Sequence, residues 1–306
     1  MNYIDTTLPH IIEAKEKHYE GLIDSVLKKI YSITDLFVTT IFDDYINSYL
    51  ETIIIGTPTD LLDCHNRVEP YLAIPIVKNA IQDVFKYQGR FDQKKKTMYD
   101  AYDLASNLNI PTCIYCNRIY TKTVINPSKI TRPTFDHWFS KIDYPLLALS
   151  FFNLIPSCSI CNSSVKGNNV FQIDTHFHPY VKHSDDNLKI DFKFSYEHKD
   201  YSTFKFKIKH NNDFSKNSIE AFKLKEIYET HEDEIGDLRR LREVYSDKYL
   251  EILKKNILGN TTISDKEIYR LAFGTYIDET KFDRRPLSKM KKDILEELGI
   301  LKHLKK

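Results

Sequence analysis

Two segments, Cys113-Ile114-Tyr115-Cys116 and Cys158-Ser159-Ile160-Cys161, bracket a third, Thr134-Phe135-Asp136-His137, and the reading of these three decides the fold. Two residues between thiolates let one tight turn present both sulfurs to a tetrahedral ion, and four thiolates close the shell of a Zn²⁺. A closed shell has no open position for substrate, so the expected role of the ion is to pin two distant segments together. The 41 residues between the pairs exceed the usual gap of a zinc ribbon, which points to an element inserted between the knuckles. A redox dithiol pair, or buried unliganded cysteines, would not explain why the pairs bracket that element.

Inside the bracket, Arg118–Asn126 alternates as a strand would, with Ile119, Thr121, Thr123 and Ile125 against Tyr120, Lys122 and Val124. Asn126-Pro127-Ser128 reads as a turn. A second short strand then delivers Thr134–His137, and the second cysteine pair opens a helix running through Asn162 and Lys166 to Gly167. Adjacent strand residues point to opposite faces, so Asp136 and His137 can address one site only if the strand ends or bulges there.

With Cys113-x-x-Cys116, Phe135-Asp136-His137, and Asn153-Leu-Ile-Pro-Ser-Cys158-x-x-Cys161-Asn162-x-x-x-Lys166-Gly167 in this order, the segment resembles the HNH, or His-Me finger, nucleases. The likeness covers about 55 of 306 residues. It implies a ββα-metal core in which His137 is the general base, Asp136 and Asn162 ligate a catalytic Mg²⁺ or Mn²⁺, and Asn153 braces the loop carrying the base. A neutral imidazole can take a proton from water, and a hard divalent ion suits oxygen ligands. Arg118 and Lys166 are candidates for holding the scissile phosphate. Trp138-Phe139-Ser140 follows the base where the family often has Pro. Asp174, His176 and His178 come after Gly167, where the helix is expected to have ended, and are read as rim or substrate contacts. More loosely, Lys141–Pro145, Asn153–Cys161 and Phe177–Tyr180 resemble HNH proteins of bacterial antiphage systems such as the Septu type, which work beside an ATPase partner.

Around this core the chain reads as α+β and mainly helical, in three regions. Residues 1–105 are helical, with Ile11, Ile12, Leu22, Ile23, Val26, Leu27 and Ile30 opening the three-to-four periodicity. Residues 106–185 are the zinc-stabilised nuclease core. Residues 186–306 open with a β-hairpin, Ile190–Tyr196 and Phe204–Ile208 around a turn region at Glu197–Ser202. They continue as helices over Ser218–Asn256, Ser264–Gly274 and Ser288–Leu298, with Ser264 and Glu267 as a capping box. The hairpin aromatics suit a half-buried sheet better than base stacking. The basic stretch Lys281–Lys306, including Arg284, Arg285, Lys289, Lys291, Lys292, Lys305 and Lys306, fits a phosphate grip and a solvated helix face equally.

Composition bounds the function. A chain that is 42% hydrophobic can bury a core, and a net charge of +1 makes any nucleic-acid contact local. No basic segment leads into an apolar one at the N-terminus, and no apolar run approaches membrane length, so a cytoplasmic protein is expected. The expected activity is metal-dependent hydrolysis of phosphodiester bonds in DNA, or alternatively RNA, in antiphage defence beside an ATPase. The competing class is a catalytically inactive, zinc-stabilised module for nucleic-acid binding or assembly.

Overall fold

Proline spacing segments the N-terminal region. Pro9, Pro58 and Pro75 each occupy the first turn of a helix, where a missing N–H costs nothing. In the computed structural model, which describes residues 1–94, 98–167, 169–198, 204–244, 252 and 264–303, the described residues of this region hold six α-helices. They are α1 (Pro9–Ile30), α2 (Leu36–Tyr45), α3 (Leu50–Ile55), α4 (Pro58–Val68), α5 (Pro75–Val84) and α6 (Ala101–Leu108). Two have reciprocal caps, Thr57 with Asp60 and Asp100 with Asp103. Lys129, in the loop ahead of Thr134–His137, bonds both acids of the second cap at 2.7 and 3.1 Å, fastening that loop to the start of α6.

The central region departs from the expected strands. Arg118–Asn126 forms no regular strand; it is tied only by single bridges, Thr112 to Tyr120 and Val124 to Thr131. The partner of β1 (Thr134–His137) is instead β2 (Leu154–Ser157), antiparallel, with Asp136 opposite Ile155 and His137 opposite Leu154. All four β2 residues are buried, so this strand carries none of the polar alternation that marks a half-exposed one. The expected helix after Cys158 is a single wide turn at Ile160–Val165, closed by the Lys166 amide donating to the Cys161 carbonyl at 3.1 Å. Gly167 ends it at φ +52°, a conformation that suits glycine.

The C-terminal region has the hairpin, β3 (Phe192–His198) with β4 (Phe204–His210), followed by α7 (Asp213–Ala221), α8 (Leu224–Glu229), α9 (Glu232–Val244), α10 (Asp265–Phe273) and α11 (Ser288–Glu297). Beyond Glu197 and His198, the expected turn residues lie outside the described residues. So do most of the helix expected after Val244, including Leu250, and the tail residues Lys305 and Lys306. Ser264 accepts from the Glu267 amide, supplying the cap. Phe192, Phe194 and Phe206 are buried, and Phe194 and Phe206 pack on Tyr228, so these rings belong to the core. In the basic stretch, Arg284, Lys289, Lys291 and Lys292 each have an acidic partner, as a paired helix face would. No described helix is long and apolar enough to cross a membrane.

One hydrophobic core runs through all three regions. At its N-terminal side His18 Nε2 bonds the Leu149 carbonyl at 2.7 Å and Ser150 Oγ donates to the Ile53 carbonyl, so α1 and α3 hold the segment between β1 and β2. At its C-terminal side Thr112 donates to the Asp283 carbonyl at 2.7 Å and Asn117 Nδ2 to that of Phe282 at 2.8 Å.

Burial holds four imidazoles neutral, lowering His18 and His65 each to about 4 and His137 and His178 each to about 3. The unfolded chain binds protons at these histidines near pH 6.5 and the folded chain does not, so stability falls as pH drops from about 6.5 towards 4. Four protons near pH 5 correspond to a slope of roughly 5 kcal/mol per pH unit. Urea titrations at pH 7 and pH 5 should show this loss; equal stability at both would remove the buried neutral histidines.

Candidate functional site

The four knuckle cysteines come together in the core. All are buried, with sulfurs within 4.8 Å of one another. Cys116 and Cys158 lie 4.0 Å apart, close to the ~3.8 Å edge of a tetrahedron with 2.3 Å metal–sulfur bonds and far from the ~2 Å of a disulfide. Burial and the neighbouring sulfurs push Cys113 well above the ordinary thiol value. Four thiolates in such surroundings need a cation to balance them, so the cluster is positioned to bind a metal ion. Tyr228 anchors it from α8 by donating to the Cys116 carbonyl.

β1 runs straight through its last residue, so Asp136 and His137 leave on opposite faces. Asp136 turns towards the knuckle. Tyr115, between the first two cysteines, donates to its Oδ2 at 2.6 Å, while Lys166 Nζ bonds Oδ1 at 3.0 Å and Oδ2 at 2.9 Å. Lys166 also donates to the His137 and Trp138 carbonyls. Asp136 and Lys166 are only 3% and 5% exposed, so Lys166 does not extend towards solvent.

His137 turns the other way, edge-on to the Tyr87 ring at 4.6 Å. Its Nε2 lies 3.0 Å from the Ala148 carbonyl, which only accepts, so Nε2 carries the hydrogen and Nδ1 is left with the free lone pair. Desolvation lowers its pKa, and the charges of Lys141 and Lys166 lower it further. His137 as a residue is only 9% exposed.

Asn153 is fully buried beneath the loop between the strands. Its Oδ1 accepts from the Phe139 amide at 2.7 Å, and its Nδ2 donates to the Phe139 and Leu147 carbonyls at 3.1 and 2.8 Å. One amide thus ties the start of the loop to its far side, beside Ala148.

The other candidates are dispersed. Asn162 is half-buried on the wide turn. Arg118 lies on the C-terminal side, where its charge acts on Tyr228 and His231. His178 packs against Trp138 at 4.6 Å, and His176 stacks on Phe171 at 4.9 Å. Sequence reasoning missed Tyr115, Tyr87 and Lys141. Tyr115 had a signal in its place between two paired cysteines; Tyr87, 50 residues from His137, had none. Compared with protein-family models, curated proteins and solved structures, the chain matches none.

Asn153→Ala removes three buried bonds and leaves the Phe139 amide without a partner. A loss of about 3 kcal/mol is expected, read as a lower urea midpoint. A loss below about 1 kcal/mol would place the loop's brace elsewhere.

Proposed function

We propose that the chain is an HNH-type nuclease that hydrolyses phosphodiester bonds, with His137 as general base. The observation that carries this reading is the oriented imidazole of His137 at the end of a strand. It is neutral, its tautomer is set by Ala148, and its loop is braced by Asn153. The order strand, braced loop, strand and helical turn, with cysteine pairs at either side, supports a ββα-metal core. In the proposed step, water attacks phosphorus as its proton passes to His137 Nδ1, and the bond to the leaving oxygen breaks, that oxygen keeping the electron pair and taking a proton from solvent. A phosphodiester beside the ring brings negative charge, which raises the basicity that burial has lowered. DNA is the substrate proposed first and structured RNA second. The defence role beside an ATPase rests on the resemblance alone.

The ion proposed for the knuckle is Zn²⁺, which fits four buried sulfurs at these distances and would supply structure only. The catalytic Mg²⁺ or Mn²⁺ implied by the resemblance fits less well. It would need an open oxygen on Asp136, and Lys166 and Tyr115 engage both. No step is therefore routed through it. The same closure favours a second reading, a zinc-stabilised binding or assembly module without catalysis.

Elemental analysis of reduced, purified protein should find about one zinc per chain, and Cys116→Ser should lose cooperative unfolding, since structural zinc contributes folding energy directly. Protein without zinc would rule the ion out. Incubation with plasmid, single-stranded DNA and total RNA, with Mg²⁺, Mn²⁺ or EDTA, should reveal cleavage. His137→Ala should reduce it by about 10²–10⁴-fold with fold and zinc intact. Cleavage undiminished in that variant would take His137 out of the mechanism, and no cleavage of any substrate would leave the module reading.

A further inference from the structure

We propose that the cation resident on Asp136 is the ammonium of Lys166, and that the pair positions the end of β1 in place of holding a divalent metal. This rests on reading residues 113–167 as the functional core, and it assigns Asp136 and Lys166 roles different from those the family resemblance gives them.

The argument starts from the donor set. Lys166 Nζ faces four oxygens: Asp136 Oδ1 at 3.0 Å, Asp136 Oδ2 at 2.9 Å, the Trp138 carbonyl at 3.2 Å, and the His137 carbonyl. A carboxylate with two carbonyls is a hard-oxygen cage of the kind that suits a divalent cation. Here the three N–H donors of the ammonium are shared among all four oxygens, and Tyr115 donates to Oδ2 as well. Charge balances at one plus against one minus. A divalent ion added to that carboxylate would sit against a buried ammonium with no second acid to offset it, an arrangement that low dielectric penalises heavily. Among the described residues, the four cysteines are the one group of three or more His, Cys, Asp or Glu side chains close enough to share an ion.

The closure also explains what the pair does. Tyr115 belongs to the first knuckle, Asp136 to β1 and Lys166 to the chain just beyond the second knuckle. The network therefore fastens the strand to both halves of the cluster. Because Lys166 bonds the main chain of His137 and Trp138, it fixes the backbone from which the imidazole projects. Lys166 is on this account a positioning residue, and its face of β1 is sealed while His137 serves the other.

The test uses the full, zinc-loaded chain and readouts other than cleavage. Mn²⁺ binding, followed by electron paramagnetic resonance, should be the same in wild type and Asp136→Asn, whether that binding is weak or undetectable. Lys166→Met leaves a buried carboxylate without its cation and should melt roughly 10 °C lower. The double variant Asp136→Asn/Lys166→Met removes both charges and should recover more than half of that loss. If Lys166→Met fails to fold, a folded double variant shows the same rescue. A tenfold or greater loss of Mn²⁺ affinity in Asp136→Asn would overturn the proposal, as would a double variant no more stable than Lys166→Met. Failure of the nuclease reading shows separately, as wild-type protein that cleaves nothing.

Discussion

The convergence of Cys113 and Cys116 with Cys158 and Cys161 is the constraint on which the rest of the structure depends. Forty-one intervening residues must leave the cluster and return to it. They do so as an irregular excursion, a short strand, a braced loop and a second strand. With no long sheet or helix in that excursion, local hydrogen bonds alone would order it poorly. Fixed ends at the sulfur cluster reduce the entropy of closing it. The buried pair of Asp136 and Lys166 lies beside the cluster and turns that closure into a defined position for β1.

The flanking regions complete the site and do not merely accompany it. The loop carrying Ala148, the residue that orients His137, is held by His18 of α1 and by the Ile53 carbonyl of α3. Tyr87, just beyond α5, supplies a wall of the imidazole's surroundings. On the opposite side Tyr228 and the segment around Phe282 enclose the first knuckle. The candidate base therefore takes its environment from the N-terminal helices, and the cysteine cluster takes part of its cover from the C-terminal region.

The main error of sequence reasoning has a clear cause. Arg118–Asn126 alternates like a strand, but only isolated bridges form there. Leu154–Ser157 shows no alternation, yet it is the true partner of β1, because both of its faces are buried. Periodicity marks strands with one wet face and is silent for a strand enclosed on both. Similarly, Lys166 reads as a phosphate ligand from its place four residues beyond Asn162, but the wide turn and the buried carboxylate draw it inward.

The sequence by itself determined the helical N-terminal region, the C-terminal hairpin and the grouping of four cysteines, because each is encoded in local spacing: three-to-four apolar periodicity, alternation, and paired thiols. It also limited Asp136 and His137 to opposite faces of any regular strand. Only the tertiary structure decided which strand pairs with β1, that Lys166 and Tyr115 close on Asp136, and that Tyr87 and Ala148 surround His137. These are contacts between residues 11 to 50 positions apart, and they depend on chain closure and burial, which no local pattern records.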